Sequence, residues 1–220
     1  MLSLTSLKAV SKVYLPNNLP KGYYMKSKKT NPPGRIKIMK SLSTLMEKKD
    51  FASITTSEIA MEAGVTEGLI YKYFKDKKDL LYKVLEEHFQ LFQEKINIEI
   101  AKKTSTFEKL EVIINTSLES WTASKVFAKI LLLEVRSYPD YYKSHAYELI
   151  KVYARTVAKI IEQGIEAGEV KKGTDHKVLT KIILGAIEHA CLGDIIFERE
   201  IDIHYLSTNI CKTIFKGIQP

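Results

Sequence analysis

Residues 55–81, TTSEIAMEAGVTEGLIYKYFKDKKDLL, constrain the fold of this chain more than any other stretch. Thr55 and Glu58 have the spacing of a capping box, in which a hydroxyl and a carboxylate satisfy the first amides of a helix. Gly64 predicts the end of that helix, because glycine adopts a positive φ at little cost. A second short helix is predicted over Glu67–Phe74. The stretch therefore predicts two helices joined by a tight turn.

The second helix has two contrasting faces. Thr66 is predicted to cap it, and Ile70 and Phe74, four residues apart, should be buried. The other residues of this helix remain largely outside: Glu67, Gly68, Leu69, Tyr71, Lys72 and Tyr73. Two helices joined in this way form a helix-turn-helix, and a helix this short fits the DNA major groove. Asp76 and Asp79 predict the cap of a third helix.

The same stretch resembles the TetR family of transcriptional regulators, and the resemblance extends over roughly residues 35–85. It implies an all-α protein of about nine helices, with a basic, disordered extension (1–33), a three-helix DNA-binding domain (34–82) and a helical ligand-binding and dimerisation domain (83–220). The positions that match the family signature are Thr55, Thr56, Ile59, Ala60, Ala63, Gly64, Val65, Thr66, Gly68, Tyr71, Tyr73, Phe74, Lys77 and Leu80.

The composition is that of a soluble helical protein with a basic excess. The formal net charge of +8 favours a polyanionic partner, either nucleic acid or an anionic membrane surface. The membrane is the weaker alternative, because the apolar stripes of the predicted helices complement one another. Two cysteines make no disulfide framework, no apolar run could span a membrane, and Lys8 and Lys12 interrupt any signal sequence. We therefore expect a cytoplasmic protein.

The extension has two interpretations. Lys21, Lys26, Lys28 and Lys29 make its second half basic, as in a tail that contacts phosphates or the minor groove. The same composition is typical of a solvated, disordered segment. Met25 is an alternative start of translation.

The DNA-binding residues follow from the resemblance. Thr56, Ser57, Tyr71 and Lys77 are expected to contact phosphates, and the exposed face of the second helix is expected to read bases. Packing inside the domain is an alternative for Tyr71 and an equal one for Tyr73, and a solvated face is the alternative for Lys72. The complete set is Thr55, Thr56, Ser57, Thr66, Glu67, Gly68, Leu69, Tyr71, Lys72, Tyr73 and Lys77.

The first helix is predicted over Arg35–Lys48, and the chain after the helix-turn-helix is predicted to be helical to its end, with a second capping box at Ser105 and Glu108. An amphipathic helix is expected over 76–103, with His88 in its apolar stripe as a core histidine, and a functional histidine as the less favoured alternative. Residues 126–135 are apolar nearly all round and predict a central, buried helix. No motif of a nucleophile, metal or phosphate site is present, so neither an enzyme nor a cofactor is expected.

A ligand pocket is implied for the second domain. Its large, mostly apolar candidates favour a lipophilic effector, such as a fatty acid or acyl-CoA, although ordinary core is the alternative for each residue. The candidate lining is Trp121, Phe127, Leu131, Arg136, Tyr142, Tyr153, Glu188, His189 and Phe197.

The last two helices, predicted at about 175–198 and 202–216, are candidates for a dimer interface. Gly185, His189 and Gly193 form a stripe of mostly small side chains, although intrachain core is the alternative. The resemblance implies a homodimer that reads a palindromic operator, and a repressor released by its ligand. The competing function is a helical ligand-binding or interaction protein that no longer reads specific DNA.

Overall fold

The computed structural model describes residues 32–220, and this range is all-α, as predicted. Predictions for residues 1–31, namely the basic extension and the alternative start, lie outside the described residues. Two short 3₁₀ turns (Phe51–Ser53 and Pro139–Lys143) and an irregular segment (130–137) connect the helices. The nine α-helices of the described range are α1 (Pro33–Met46), α2 (Thr56–Ala63), α3 (Glu67–Tyr73), α4 (Lys77–Ala101), α5 (Thr106–Ala123), α6 (Lys125–Lys129), α7 (His145–Glu166), α8 (His176–Ile196) and α9 (Ile203–Ile218).

The described residues belong to two compact units, which divide between Val84 and Leu85. Unit 1 contains α1, α2, α3 and the first turns of α4, and unit 2 contains the remainder. The division falls inside α4, so one continuous helix belongs to both units. No helix of residues 32–220 is long and apolar enough to cross a membrane.

The core of unit 1 forms where the apolar faces of its helices meet. Helix α1 begins at Pro33, two residues before the predicted start, because proline suits the first turn of a helix. The side chains that exclude water are fully buried or nearly so. They are Ile38, Leu42, Phe51, Ile54, Ile59, Ile70, Phe74, Leu80 and Leu81.

The turn between α2 and α3 has the predicted geometry. The Thr55 amide donates to Glu58 Oε2 at 2.8 Å, the Glu58 amide donates to Thr55 Oγ1 at 3.2 Å, and Gly64 has φ of 63°. Thr66 occupies the cap position of α3, but its side chain makes no capping hydrogen bond, so that prediction is wrong. Helix α3 ends at Tyr73, because Phe74 is extended.

Unit 2 packs α5 and α7–α9 around a second core. Ser105 and Glu108 form the predicted capping box at the start of α5. Asp175 and Asp202 accept amide hydrogen bonds at the starts of α8 and α9, as capping residues do. The core includes Ile96, Leu110, Ile113, Ile114, Leu118, Val157, Ile161, Ile183, Ile187 and Ile195.

Residues 126–135 do not form the predicted central helix. Helix α6 ends after five residues and continues as one π turn, Ile130–Glu134, and a 3₁₀ turn, Val135–Ser137. A π turn holds more residues than an α turn, so the apolar side chains no longer share one buried face. Leu132 is buried, whereas Leu133 is 51% exposed.

The two cysteines lie in the helices that end the chain, Cys191 on α8 and Cys211 on α9. Both are buried and free, and burial raises the pKa of each thiol to about 11. Neither thiol therefore has the depressed pKa of a nucleophile.

Candidate functional site

Helix α3 presents one exposed face in unit 1. Ile70 is completely buried, while Glu67, Gly68, Tyr71 and Lys72 are exposed. The buried face fixes the helix against α1 and α2, and the outer face carries an acid, a base and a phenol. These groups can pair with base edges and phosphates.

The start of α2 is joined to this face by hydrogen bonds. Thr56 Oγ1 donates to Glu67 Oε2 at 3.1 Å and lies 3.5 Å from the Tyr71 hydroxyl. Thr56 and Ser57 are the first residues of α2, where helix amides lack intrahelical acceptors. The structure thereby brings together predicted phosphate contacts on α2 and predicted base contacts on α3.

Leu69 and Tyr73 lie at the edge of this face and pack inside unit 1. A Cβ at Gly34 would lie 3.0 Å from Leu69 Cδ2 and 3.6 Å from Tyr73 Cε2. Both side chains are half-buried. The packing alternative for Tyr73 therefore applies to part of its ring, and the start of α1 lies directly beside α3.

Lys77, which was predicted to contact a phosphate, makes several contacts within unit 1. Its ammonium donates to the carbonyl oxygens of Phe51 at 2.9 Å and Ile54 at 2.7 Å, and lies 4.4 Å from the centre of the Phe51 ring. These bonds hold the turn that precedes α2. The structure thus gives Lys77 an internal role, which spacing alone does not reveal, and we leave it out of the proposed phosphate contacts.

Unit 2 contains a cavity of about 360 Å³ that is partly open to solvent. Seven of the nine predicted lining residues are there, but His189 and Phe197 are not. His189 is exposed and Phe197 is 70% exposed, because their positions on and after α8 face away from the cavity. The lining comprises Leu85, His88, Phe89, Phe92, Gln93, Ser117, Ser120, Trp121, Ser124, Phe127, Ala128, Leu131, Arg136, Tyr141, Tyr142, Tyr147, Ile150, Tyr153, Leu184, Ile187 and Glu188.

His88 lines this cavity and is not the core histidine that the sequence suggested. Its ring stacks on Phe127, with centroids 4.4 Å apart and an interplanar angle of 9°. Burial lowers its pKa, so the imidazole is neutral at pH 7 and offers one donor and one acceptor. An apolar stripe indicates an inward-facing side chain, but it does not distinguish a cavity from packed core.

Tyr153 and Ser117 provide a second polar point in the cavity. Their hydroxyls lie 2.7 Å apart, and the Ser117 hydroxyl also lies 2.7 Å from the Ile113 carbonyl oxygen. Burial raises the pKa of the Tyr153 phenol, which is therefore uncharged at neutral pH. The interior is thus polar in places but carries no charge at these two residues.

Charge is found at Arg136 and Glu188, which also line the cavity. The guanidinium donates two parallel hydrogen bonds to the carboxylate, at 2.6 and 2.7 Å, and these bonds raise the pKa of Arg136. The Tyr142 hydroxyl donates to the Arg136 carbonyl oxygen at 3.1 Å. Both charged side chains remain more than a third exposed, so the pair is accessible to water.

Helix α8 has an exposed apolar stripe besides its buried one. Val178 and Ile182 are 50% and 52% exposed, and Gly185 and His189 continue the same face. Nothing lies within 4 Å of a Cβ built at Gly185. Because Gly185 has no side-chain heavy atom, it leaves room for another helix on this side of α8.

The residues that the structure describes contain no cluster of three or more histidine, cysteine, aspartate or glutamate side chains that could hold a metal ion.

Two protein families match this chain. Bacterial regulatory proteins of the tetR family match residues 38–84, and the C-terminal region of YsiA-like proteins matches residues 78–217. The fatty acid metabolism regulator protein of Bacillus subtilis is 27% identical over 190 residues, which are 86% of this chain and 98% of that protein.

Solved structures agree with these matches. FadR from Bacillus subtilis, crystallised in complex with stearoyl-CoA, is 26% identical and has a TM-score of 0.76, over 84% of this chain and 99% of its own. The fatty acid degradation regulator FadR from Bacillus halodurans is 23% identical and has a TM-score of 0.77, over 86% of this chain and 98% of its own. At this lower identity the likeness concerns the fold.

Proposed function

We propose that this chain is a cytoplasmic, dimeric repressor, because it belongs to the TetR family of bacterial regulatory proteins and is a ligand-responsive transcriptional regulator. A fatty acid or acyl-CoA in the cavity of unit 2 releases it from a palindromic operator. The observation that carries the ligand class is a largely aromatic and aliphatic cavity with one accessible cation, Arg136, in its lining.

Docking on DNA uses α3 in the major groove. Glu67, Lys72 and the half-buried Tyr73 and Leu69 face the bases, and Gly68 permits close approach of the backbone. Thr55, Thr56 and Ser57 at the start of α2, with Thr66 and Tyr71, contact phosphates. Support comes from the hydrogen bonds of Thr56 to Glu67 and Tyr71, because they fix the two contact types in one surface.

The dimer forms through α8 and α9. The exposed stripe of Val178, Ile182, Gly185 and His189 lies on α8, and Tyr205 on α9 is 63% exposed. A second copy of the same surface would cover these side chains in an isologous interface. Such a dimer places two α3 helices on one operator, at a spacing of about 34–36 Å or a multiple of it.

The ligand is proposed to be a fatty acyl compound. The Bacillus subtilis relative was crystallised with stearoyl-CoA, and the walls here, from Phe89, Phe92, Trp121 and Leu131, suit a long alkyl chain. Neutral His88 can accept or donate one hydrogen bond to a polar group near the end of that chain. Arg136 supplies a cation for a carboxylate or phosphate.

Release requires the ligand to favour the state that does not bind DNA. A ligand that binds both states equally shifts nothing, however tightly it binds. Helix α4 provides the connection, because it contributes Leu85, His88 and Phe92 to the cavity and begins in unit 1. A shift of this helix in each protomer would change the spacing of the two α3 helices.

The test uses two substitutions on one turn. Leu131 lines the cavity and Leu133 is outward, so Leu131→Trp should place an indole in the path of a long ligand while Leu133→Trp should leave the cavity unchanged. We expect stearoyl-CoA to release the wild-type and Leu133→Trp proteins from operator DNA in a fluorescence anisotropy titration, and to leave Leu131→Trp bound. Release of Leu131→Trp at the wild-type ligand concentration would refute this assignment of the cavity.

A further inference from the structure

Two neighbouring hydroxyl groups in the cavity of unit 2, those of Tyr153 and Ser117, have a fixed direction of hydrogen bonding. The Ser117 hydroxyl lies 2.7 Å from the Ile113 carbonyl oxygen and 2.7 Å from the Tyr153 hydroxyl, so each contact requires a proton. A serine has one proton to donate, and a carbonyl oxygen can only accept. The Ser117 proton therefore goes to Ile113, and the Tyr153 proton goes to Ser117.

This direction leaves the phenol oxygen of Tyr153 as an acceptor. Its single proton is engaged by Ser117, whereas its lone pairs have no donor among the residues that the structure describes. Burial raises the pKa of this phenol, so the proton stays in place at neutral pH. The Tyr153 oxygen can therefore accept a hydrogen bond from a ligand but has no proton to give it.

The Tyr153 side chain is held in position at the wall of the cavity. Its ring makes an edge contact with Phe92, with centroids 5.3 Å apart and an interplanar angle of 81°. Ser117 is 3% exposed, whereas Tyr153 is partly exposed, and both residues line the cavity. Tyr153 is thus the member of the pair that a ligand can reach, and its oxygen is already oriented by the bond to Ser117.

We propose that the ligand of this cavity carries a hydroxyl group along its acyl chain, and that this hydroxyl donates a hydrogen bond to Tyr153. The inference rests on the proposed fatty acyl ligand and narrows its chemical class. A saturated chain would cover the phenol oxygen with methylene groups and leave a buried acceptor without a donor, which is unfavourable. A hydroxyl at that point of the chain supplies the donor.

Other polar side chains of the lining do not make the same selection. Neutral His88 and the amide of Gln93 can each donate as well as accept. The Tyr142 hydroxyl also donates its proton within the protein, to the Arg136 carbonyl oxygen at 3.1 Å, but Tyr142 is 44% exposed, so water can satisfy its oxygen. Discrimination between a ligand hydroxyl and a ligand carbonyl is therefore expected at Tyr153.

The test measures ligand affinity by the fluorescence of Trp121, the single tryptophan of the chain, which lines the cavity. The ligands are stearate, stearate isomers with a hydroxyl near the carboxylate, in the middle of the chain or near its methyl end, and the matching oxo compounds. Tyr153→Phe removes the acceptor and keeps the ring, and Tyr142→Phe is the matched control. Thermal unfolding of each variant establishes that it is folded.

We expect one hydroxystearate isomer to bind the wild-type protein roughly threefold to tenfold more tightly than stearate, which is the gain from one net hydrogen bond. The oxo compound of the same position should bind no more tightly than stearate, because Tyr153 has no proton to donate to it. Tyr153→Phe should bind that hydroxystearate more weakly than stearate, since the hydroxyl is then buried without a partner. Tyr142→Phe should keep the wild-type preference.

Ser117→Ala should change the selectivity in the opposite direction. This substitution removes the group that receives the Tyr153 proton, so the phenol becomes free to donate into the cavity. We expect the variant to bind the oxo compound more tightly than the wild-type protein does, whereas a merely structural role of the hydroxyl pair would weaken all ligands alike. Unchanged selectivity in Ser117→Ala would contradict the assigned proton direction.

Two further results would overturn the proposal. One is a wild-type protein that binds none of the hydroxystearate isomers more tightly than stearate. The other is a hydroxyl preference that survives in Tyr153→Phe. If no fatty acid bound at all, the proposed function would fall and this inference with it, whereas stearate binding without a hydroxyl preference overturns the inference alone.

Discussion

The Lys77 ammonium lies 2.7 Å from the carbonyl oxygen of Ile54, at the turn that leads into α2. The ammonium also donates to the Phe51 carbonyl oxygen at 2.9 Å, which in addition accepts the Ile54 amide at 3.2 Å. Lys77→Met keeps the aliphatic stem but leaves these carbonyls without their charged donor. We expect unit 1 to lose about 1.5–3 kcal/mol of stability, measured by urea unfolding and by amide exchange of residues 51–56. The exposed neighbour substitution Lys75→Met is the control, and equal midpoints for the two would contradict this role.

Lys72 should behave differently, because its side chain is exposed on α3. We expect Lys72→Ala to fold normally and to lose about 1–3 kcal/mol of discrimination at one base pair of each half-site. Binding to a panel of single-substituted operators measures this loss. Lys48→Ala, at an exposed position after α1, provides the matched control. A uniform loss across the panel would instead assign Lys72 to phosphate.

The lowered pKa of Glu58 predicts that unit 1 loses stability in acid. The Lys49 ammonium, followed by the amide and hydroxyl of Thr55, lowers the pKa of this carboxyl from 4.5 to about 2. A carboxylate whose pKa is lower in the folded state stabilises it above pH 4.5, and that stabilisation is lost as pH falls toward 2. Chemical unfolding of the wild type and Glu58→Gln between pH 2 and 7 should give curves that converge at the acid end. Glu62→Gln, an exposed change in the same helix, should follow the wild type.

Ile182 tests the dimer. Its side chain is 52% exposed in the protomer, so Ile182→Glu should leave the fold intact. Near the axis of an isologous interface, however, it would bring like charges together. We expect sedimentation velocity to show a monomer for Ile182→Glu and a dimer for Leu91→Glu, whose position on α4 is 67% exposed. A dimeric Ile182→Glu protein would place the interface elsewhere.

We expect Glu188 to compete with an anionic ligand for Arg136, because its carboxylate already pairs with that guanidinium. Glu188→Gln removes the charge that the guanidinium pairs with, and we expect affinity for stearate to rise roughly threefold to tenfold, since the pair is water-accessible. Arg136→Gln should lower it. Methyl stearate lacks the carboxylate and should bind all three proteins alike in a calorimetric titration. Unchanged stearate affinity in both variants would remove Arg136 from the ligand site.

Sequence spacing was sufficient to predict the structure where a side chain contacts backbone atoms only a few residues away. The capping boxes at Thr55 and Ser105, and the positive φ of Gly64, depend on neighbours within a few residues, and all three are confirmed. Thr66 has the right position for a cap, but its hydroxyl rotamer depends on surroundings that spacing does not encode.

The remaining differences arise from packing between distant segments. Apolar residues 126–135 suggested one buried helix, but the wall they form includes a π turn and an outward Leu133. His88 and Phe197 were both placed by hydrophobicity, which does not report whether an inward side chain meets a cavity or whether a helix end turns outward. Lys77 was placed by a family pattern, and only the contacts of its ammonium reveal a structural role.

The buried thiols of Cys191 and Cys211 have a practical consequence for labelling experiments that would follow the proposed shift of α4. With pKa values near 11, fewer than about one in a thousand is ionised at neutral pH, so maleimide reagents should leave them untouched. A cysteine engineered at a surface position such as Glu62 would then be the reactive site of each protomer, and could be spin-labelled without first removing the native sulfur atoms.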